Sequence, residues 1–306
     1  MSLLAITGAT GFVGRATLDK ALAAGHRVRA LARSRQDERA GIEWIPGSLE
    51  NSAALDRLVR GADAVIHIAG VVNAPDRAGF EAGNAVGTAA LTEAMLLSGT
   101  RRLVHVSSLA AREPDLSDYG WSKAEAERYV RTSGLDWTMV RPPAIYGPGD
   151  AELLELFRMA ARGLVLLPPH GRLSLIHVDD LAELLVRLAA DAPDMANGAT
   201  YEVDDGRPGG WTHKELAHAI GTAVGRRSVL ALPLPSSLVR LGARIDRRVR
   251  GDRARLTPDR AAYFCHEDWV AAPALHVPDT LWRPLIATPE GLAQTARAYR
   301  ERGHLR

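Results

Sequence analysis

A single cysteine, Cys265, stands in the whole chain, so no internal disulfide can form and a reducing compartment suits the protein. Aromatic residues are scarce, at 5% of the sequence, and aliphatic side chains must therefore supply most of the core. Neither charge sign dominates: 38 Lys and Arg face 36 Asp and Glu, too even a balance for a nucleic-acid partner. No uninterrupted apolar run approaches the roughly 20 residues of a membrane span. The first expected strand begins almost at Met1 with no basic and apolar leader before it, so a cytoplasmic protein is expected. Histidines are scattered and repeats are absent, which leaves little material for a zinc site, and no metal is expected. What remains is ordinary globular composition, 46% apolar and 24% charged over 306 residues, enough for one large domain or two intimate ones.

The strongest positive signal is Ile6-Thr7-Gly8-Ala9-Thr10-Gly11-Phe12-Val13-Gly14. An apolar run leads into glycines spaced G-x-x-G-x-x-G, and Thr17 to Leu22 then reads as a helix ending near Gly25. A diphosphate needs backbone close to it, which a Cβ would block, and it needs the unpaired N–H groups of a helix N-terminus. A tight strand–helix turn that only requires φ > 0 would use the same glycines. The second strand, His26 to Ala32, ends at Arg33, and no acid stands between Asp19 and Asp37. An acid there would accept from the ribose hydroxyls of NAD, whereas arginine suits the extra phosphate of NADP. NADP(H) is therefore expected over NAD(H), with a solvated basic turn as the plainer reading.

Gly41 to Ile45 reads as a short strand, followed by Gly47-Ser48-Leu49-Glu50. Ala64 to Gly70 has the character of a buried strand, and His67 within it reads as a satisfied core histidine. Asn84 to Ser98 has helical spacing, and Arg102 to Ser108 is the next strand. Such alternation means βαβ units and a doubly wound, Rossmann-type parallel sheet of the α/β class. Ligands in such sheets sit beyond the carboxyl ends of the strands, so Gly8, Arg33, Gly70 and Ser107-Ser108 should face one crevice. Downstream, Tyr119 and Lys123 share a helix face at i,i+4 spacing. An ammonium beside a phenol favours the phenolate and makes a usable general acid/base. In the plainer reading Lys123 pairs with Glu127 on the helix surface and Tyr119 caps the helix start.

Taken together, the glycine loop, Asn84-Ala85-Val86-Gly87-Thr88, Ser107-Ser108, Tyr119…Lys123, the run Arg141 to Gly149 and His177-Val178-Asp179-Asp180-Leu181-Ala182 resemble the extended, epimerase/dehydratase-like branch of the short-chain dehydrogenases/reductases. The resemblance spans nearly the whole chain. It implies Tyr119 as acid/base, Lys123 binding the nicotinamide ribose and tuning Tyr119, and Ser108, in preference to Ser107, holding the substrate oxygen. It implies cofactor contacts from Gly8, Thr10, Gly11, Phe12, Val13, Gly14, Arg33, Ser48, Leu49, Ala69, Gly70, Asn84, Val106, Ser107, Tyr119, Lys123, Pro142, Ala144 and Ile145. It gives the His-Val-Asp-Asp run a structural role, and it implies a homodimer through helices Asn84 to Ser98 and Ser122 to Thr132. Leu109-Ala110-Ala111 follows Ser108 where the family's 4,6-dehydratases have an Asp-Glu pair and a threonine, and Ala144 stands where nucleotide-sugar epimerases tend to have asparagine. What remains is similar to the family's reductases: an NADP(H)-dependent oxidoreductase interconverting a carbonyl and an alcohol on a small-molecule substrate. A nucleotide-sugar epimerase using the same site, and a cofactor-holding scaffold or redox sensor, stand as alternatives.

The expected organisation is a dinucleotide-binding domain over 1–170, to which 174–203 returns, and a smaller, mostly helical substrate-binding or lid region over 204–306. The resemblance bounds the pocket by Val71-Val72-Asn73, Tyr146 and parts of Asp204 to Trp211. Thr212 to Val224 reads as a helix with Thr212 at its N-cap and Glu215 three residues on. Beyond Leu232-Pro233-Leu234-Pro235, the residues Leu238, Leu241, Ile245 and Val249 recur at helical spacing, opposite Arg240, Arg244, Arg247, Arg248 and Arg250. This basic segment, Arg240 to Arg255, reads first as a lid helix with a solvated face, and alternatively as a helix on a membrane surface or an anionic substrate.

Overall fold

The computed structural model describes residues 1–191, 196–251, 254 and 256–305. From the amino terminus the elements run β1 (Leu3–Thr7), α1 (Phe12–Ala23), β2 (Arg27–Ala32), β3 (Ile42–Pro46), α2 (Ser52–Val59), β4 (Ala64–His67), α3 (Arg77–Phe80), α4 (Gly87–Ser98) and β5 (Arg102–Val106). Next come α5 (Asp118–Thr132), β6 (Asp136–Arg141), β7 (Ala144–Tyr146), α6 (Leu154–Ala161), β8 (Leu164–Leu167), β9 (Arg172–Leu173), β10 (Leu175–His177), α7 (Val178–Ala190) and β11 (Ala199–Glu202). Last are β12 (Trp211–Thr212), α8 (His213–Ala223), β13 (Leu230–Pro233), α9 (Ser236–Arg250), α10 (Pro258–Phe264), β14 (Asp268–Trp269) and α11 (Thr288–Glu301).

The chain divides into two compact units, the first comprising Met1–Pro142, Leu181–Glu202 and Val277–Trp282. It holds a seven-stranded sheet in the order β11-β6-β5-β4-β1-β2-β3, every pairing parallel. Successive strands run outward from β1 to β3 on one side, then from β4 to β11 on the other, so the topological switch point lies between β1 and β4. This is the doubly wound α/β sheet the sequence pattern implies. The central strands β4 and β5 are buried along their whole length, as expected where helices cover both faces. One face is closed by Leu55, Leu58, Leu91, Met95 and Val130 from α2, α4 and α5, packed on Val65, Leu103 and Met139.

Local structure departs from the sequence pattern at three ends. β4 stops at His67, leaving Ala69 and Gly70 in the loop beyond it. β5 stops at Val106, because Ser108 turns to cap a short 3₁₀ turn over Leu109–Arg112. The helix expected from Asn84 begins instead as a π-helical turn over Glu81–Val86 that runs into α4. Such wide turns recur at functional sites.

The second unit comprises Pro143–Asp180, Val203–His276 and Arg283–Arg306. Its core gathers Tyr146, Phe157, Leu175, Trp211, Ile220 and Tyr299, with Phe157 and Tyr299 edge-on at 5.1 Å between ring centroids. β7 pairs with β10, β8 with β13, and β9 lies between β12 and β14. Thr212 and Glu215 form the reciprocal capping box of α8, as their spacing predicts. Asp180 accepts from the backbone N–H groups of Leu285 and Ile286 at 3.1 and 3.0 Å, a structural task for the His-Val-Asp-Asp run.

Candidate active site

The glycine loop occupies the turn from β1 into α1, on the switch-point side of the sheet. Gly8 takes φ +72, and a Cβ there would stand 2.6 Å from the Ala69 nitrogen beyond β4. A Cβ on Gly14 would overlap the Gly8 carbonyl oxygen, so only glycine lets α1 approach this closely. Gly11 caps α1 with no side-chain hydrogen bond, and the first turn carries no acid. Thr10, Phe12 and Val13 are half-buried around it. The helix thus presents uncompensated N–H groups and the positive end of its dipole beside bare backbone, a set of donors that fits a dinucleotide diphosphate. Arg33 and Arg35 follow β2 and are exposed. Ser48 and Leu49 follow β3, Leu49 packing against Gly87 at the start of α4.

A chain of hydrogen bonds ties this cradle to the end of β4. The Ala69 N–H donates to Thr7 Oγ1 at 3.2 Å, and Thr7 Oγ1 meets His67 Nδ1 at 2.6 Å. On its other side His67 Nε2 meets Thr88 Oγ1 at 2.9 Å, while that hydroxyl donates to the Asn84 carbonyl at 2.6 Å. Because Thr88 spends its proton on Asn84, His67 must donate from Nε2 and accept from Thr7 at Nδ1. Burial, reinforced by the Lys123 charge, pushes the His67 pKa down to about 3, so the ring is neutral. His67 is the satisfied core histidine expected from its strand. The buried His105 ring lies 5.1 Å from it and is likewise held neutral, chiefly by burial.

Asn84, in the π turn, brackets the next loop: its Oδ1 accepts from Val71 N–H at 2.8 Å, and its Nδ2 donates to Val71 O and Ser122 Oγ. A Cβ on Gly70 would lie 2.7 Å from that Oδ1 and 3.8 Å from Lys123 Nζ. Asn84, Gly70 and Lys123 therefore meet at one point beyond β4. Lys123 is buried, and its Nζ donates to the Val106 carbonyl at 2.9 Å. Burial pulls its pKa down to about 8, against the opposing pull of Glu127. Tyr119, one turn earlier on α5, is half-buried, with its ring 6.0 Å from Phe80. Ser117, not Tyr119, caps α5 through Gly120 N–H. A Cβ on Gly120 would meet Ala110 O at 2.7 Å and Glu113 O at 2.9 Å, so the first turn of α5 rests on the turn that follows Ser108. Ser108 is buried, and its Oγ accepts from Ala110 N–H at 3.2 Å.

Beneath α5 lies a group of residues that the sequence pattern does not expose. Glu127 is buried and accepts from Ser107 Oγ at 2.6 Å, from Arg141 Nε and Nη2 at 2.7 Å each, and from Arg131 at 2.7 Å. Arg141 also reaches Glu202 at 3.3 Å, and Arg112 pairs with Glu202 at 3.2 Å. Burial, the largest single influence, would raise the Glu127 carboxyl, but the Arg141 fork together with Ser107 and Arg131 holds the pKa below the ordinary value. The Ser107 hydroxyl is thus committed to Glu127, and Lys123 takes a backbone carbonyl where a surface pair with Glu127 was the plainer expectation. The i,i+4 spacing of Glu127 and Arg131 was visible in the sequence; Arg141 and Glu202 come from β6 and β11 and gave no local signal. Pro142 closes the first unit, its carbonyl accepting from Leu109 N–H at 3.1 Å. Ala144 and Ile145 are half-buried on β7, in the second unit.

A family model described as NAD(P)H-binding matches residues 8–192. Ceramide reductase of Caulobacter vibrioides is 38% identical over 287 residues, covering 89% of this chain and 87% of that protein. 2-alkyl-3-oxoalkanoate reductase of Stenotrophomonas maltophilia is 29% identical over 324 residues, covering 94% and 96%. Among solved structures, MoeE5 in complex with UDP-glucose and NAD superimposes with a TM-score of 0.75 over 99% of both chains at 22% identity, a likeness of fold.

Proposed function

The chain belongs to the NAD(P)H-binding family, within the extended branch of the short-chain dehydrogenases/reductases, and from that footing we propose that it reduces a ketone on an alkyl-chain substrate with NADPH. One observation carries the reading. A buried lysine sits beside Gly70 at the switch point, on the helix face it shares with Tyr119, and no side-chain carboxylate takes up its charge among the hydrogen bonds described for it. The bound cofactor would supply hydride to the carbonyl carbon. Gly8, Gly11 and the first turn of α1 would hold its diphosphate, with Lys123 and Asn84 near its ribose end. Tyr119 delivers a proton to the carbonyl oxygen, and Ser108 donates to the same oxygen as negative charge builds there. The Lys123 ammonium favours the phenolate that Tyr119 becomes when it gives up that proton. Exposed Arg33, with no acid at the end of β2, supports NADP(H) over NAD(H).

The substrate class rests on the two reductases, which align over nearly the whole chain and whose names specify a ceramide and a 2-alkyl-3-oxoalkanoate. The test is oxidation of NADPH with a long-chain 3-oxo substrate. Tyr119→Phe should lower turnover about 100-fold or more while the thermal shift produced by NADPH persists. Wild-type turnover in that variant would overturn the acid/base role. Interconversion of UDP-sugars without net NADPH oxidation would make the protein an epimerase, and a thermal shift with no turnover on any carbonyl would make it a scaffold. The exposed Val86, Leu96 and Leu97 of the π turn and α4 support the homodimer that the resemblance implies, which light scattering of the purified chain would test.

A further inference from the structure

Fourteen large apolar residues are exposed among the described residues, and eight of them belong to three elements of the second unit, β8, β13 and α9. Four are Leu164 and Leu166 on β8 with Leu230 and Leu232 on β13. The register pairs Leu230 with Leu164 and Leu232 with Leu166, so all four share one face of this two-stranded sheet, while Val165 and Leu167 are buried on the other. The other four lie just downstream on α9: Leu238, Leu241, Ile245 and Val249 are 52%, 51%, 55% and 76% exposed.

At about 100° per residue, those four α9 side chains fall within an arc of about 80°. Arg240, Arg244 and Arg248 occupy the adjoining arc and are also exposed. The packed face is a third one, carrying Val239, Ala243 and Asp246; Ala243 is fully buried, and Asp246 accepts from Leu256 N–H at 2.9 Å. A helix with a solvated outer face needs the arginines and has no use for the leucine stripe. Neighbouring apolar and basic stripes, both open to solvent, match what an anionic lipid surface requires. The apolar stripe enters the acyl boundary while the guanidinium groups meet phosphates at the same depth. Self-association fits less well. Asp246 is the only acid on α9 and it lies on the packed face, so pairing α9 with its copy would set arginine rows beside one another. No helix among the described residues is long and apolar enough to cross a membrane, so α9 would lie on the surface and not span it. Arg253 and Arg255, part of the same basic segment, lie outside the described residues.

We infer that α9 docks the protein on anionic membranes. This rests on α9 and the β8–β13 face alone and holds whichever carbonyl compound the enzyme reduces. The test is co-sedimentation of the full chain with phosphatidylglycerol-containing vesicles and with pure phosphatidylcholine vesicles, at low salt and at about 0.5 M salt. Binding to the anionic vesicles should be at least tenfold tighter than to the zwitterionic ones and should weaken with salt. Ile245→Glu/Val249→Glu, at exposed positions, should abolish binding at every salt concentration. Arg240→Gln/Arg244→Gln/Arg248→Gln should lose more than tenfold and most of the salt dependence, at about fivefold for each arginine. No binding to anionic vesicles, or binding unchanged in Ile245→Glu/Val249→Glu, would overturn the inference. A concentration-dependent oligomer that the same variant dissolves, without vesicle binding, would assign the stripe to a second copy of the chain.

Discussion

Replacing Glu127 by glutamine tests whether the group beneath α5 both holds the first unit together and sets the charge at Lys123. The carboxylate accepts four hydrogen bonds, from Ser107, from both arms of the Arg141 fork and from Arg131. Glutamine keeps the shape and one acceptor oxygen, but turns an NH2 group toward donors and removes the charge opposite Arg141. Breaking one side of a buried ion pair costs about 3–5 kcal/mol. Because Glu202 still faces Arg141 at 3.3 Å, part of that is recovered, and a loss of about 2–4 kcal/mol is expected. Urea unfolding should show the midpoint falling at unchanged slope. Glu125→Gln on the same helix, which breaks only the exposed pair with Arg128, should cost less than about 0.5 kcal/mol. The second readout is the alkaline limb of turnover. Glu127 raises the Lys123 pKa against the stronger effect of burial, so without it the ammonium should lose its proton below about 8. Activity that needs the charged lysine then declines at lower pH than in the wild type. A stability loss under about 0.5 kcal/mol together with an unmoved limb would refute the reasoning on both counts.

Two further perturbations probe the cradle and its support. Gly14→Ala puts a methyl group into the Gly8 carbonyl, so it should abolish the thermal shift given by the dinucleotide; a variant that binds normally would show that α1 can move away without cost. His67→Gln tests the neutral histidine. Its folded pKa of about 3 lies below the ordinary 6.5, so the unfolded chain takes up a proton that the fold refuses as pH drops through that interval. Stability should therefore be lost between about pH 6.5 and 3 at up to about 1.4 kcal/mol per pH unit, and the glutamine variant should show an acid limb shallower by one proton. Parallel limbs in the two proteins would mean that His67 does not stay neutral.

The parts of this molecule that could be read from sequence are those in which spacing along the chain fixes geometry. Three glycines between a strand and a helix have few arrangements open to them, and both Gly8 and Gly14 sit where any Cβ would collide. Thr212 and Glu215 are three residues apart, and that alone suffices for a capping box. Strand ends were less legible. Ala64 to Gly70 continues apolar and small past His67, but the chain leaves the sheet there because Thr7 and Thr88 take the two ring nitrogens of His67 and draw Ala69 into the turn. Neither threonine is a neighbour of His67 in sequence.

Lys123 shows where local reading ends. Glu127 stands four residues after it and Tyr119 four before, so helical spacing offered the ammonium either a carboxylate or a phenol. The outcome is decided by residues from other strands. Arg141 on β6 reaches Glu127 with a two-pronged donor, which satisfies a carboxylate better than a single ammonium can. Ser107 and Arg131 take what is left of its accepting capacity. Occupied in this way, Glu127 supports the Lys123 charge from a distance without neutralising it. The lysine is left with a backbone carbonyl, in surroundings dry enough to bring its pKa to about 8. A direct salt bridge would have held the proton firmly and cancelled much of the field that the role proposed for Tyr119 requires. The buried arginine–glutamate group thus keeps the lysine charged yet uncommitted, the state that the proposed acid/base chemistry needs.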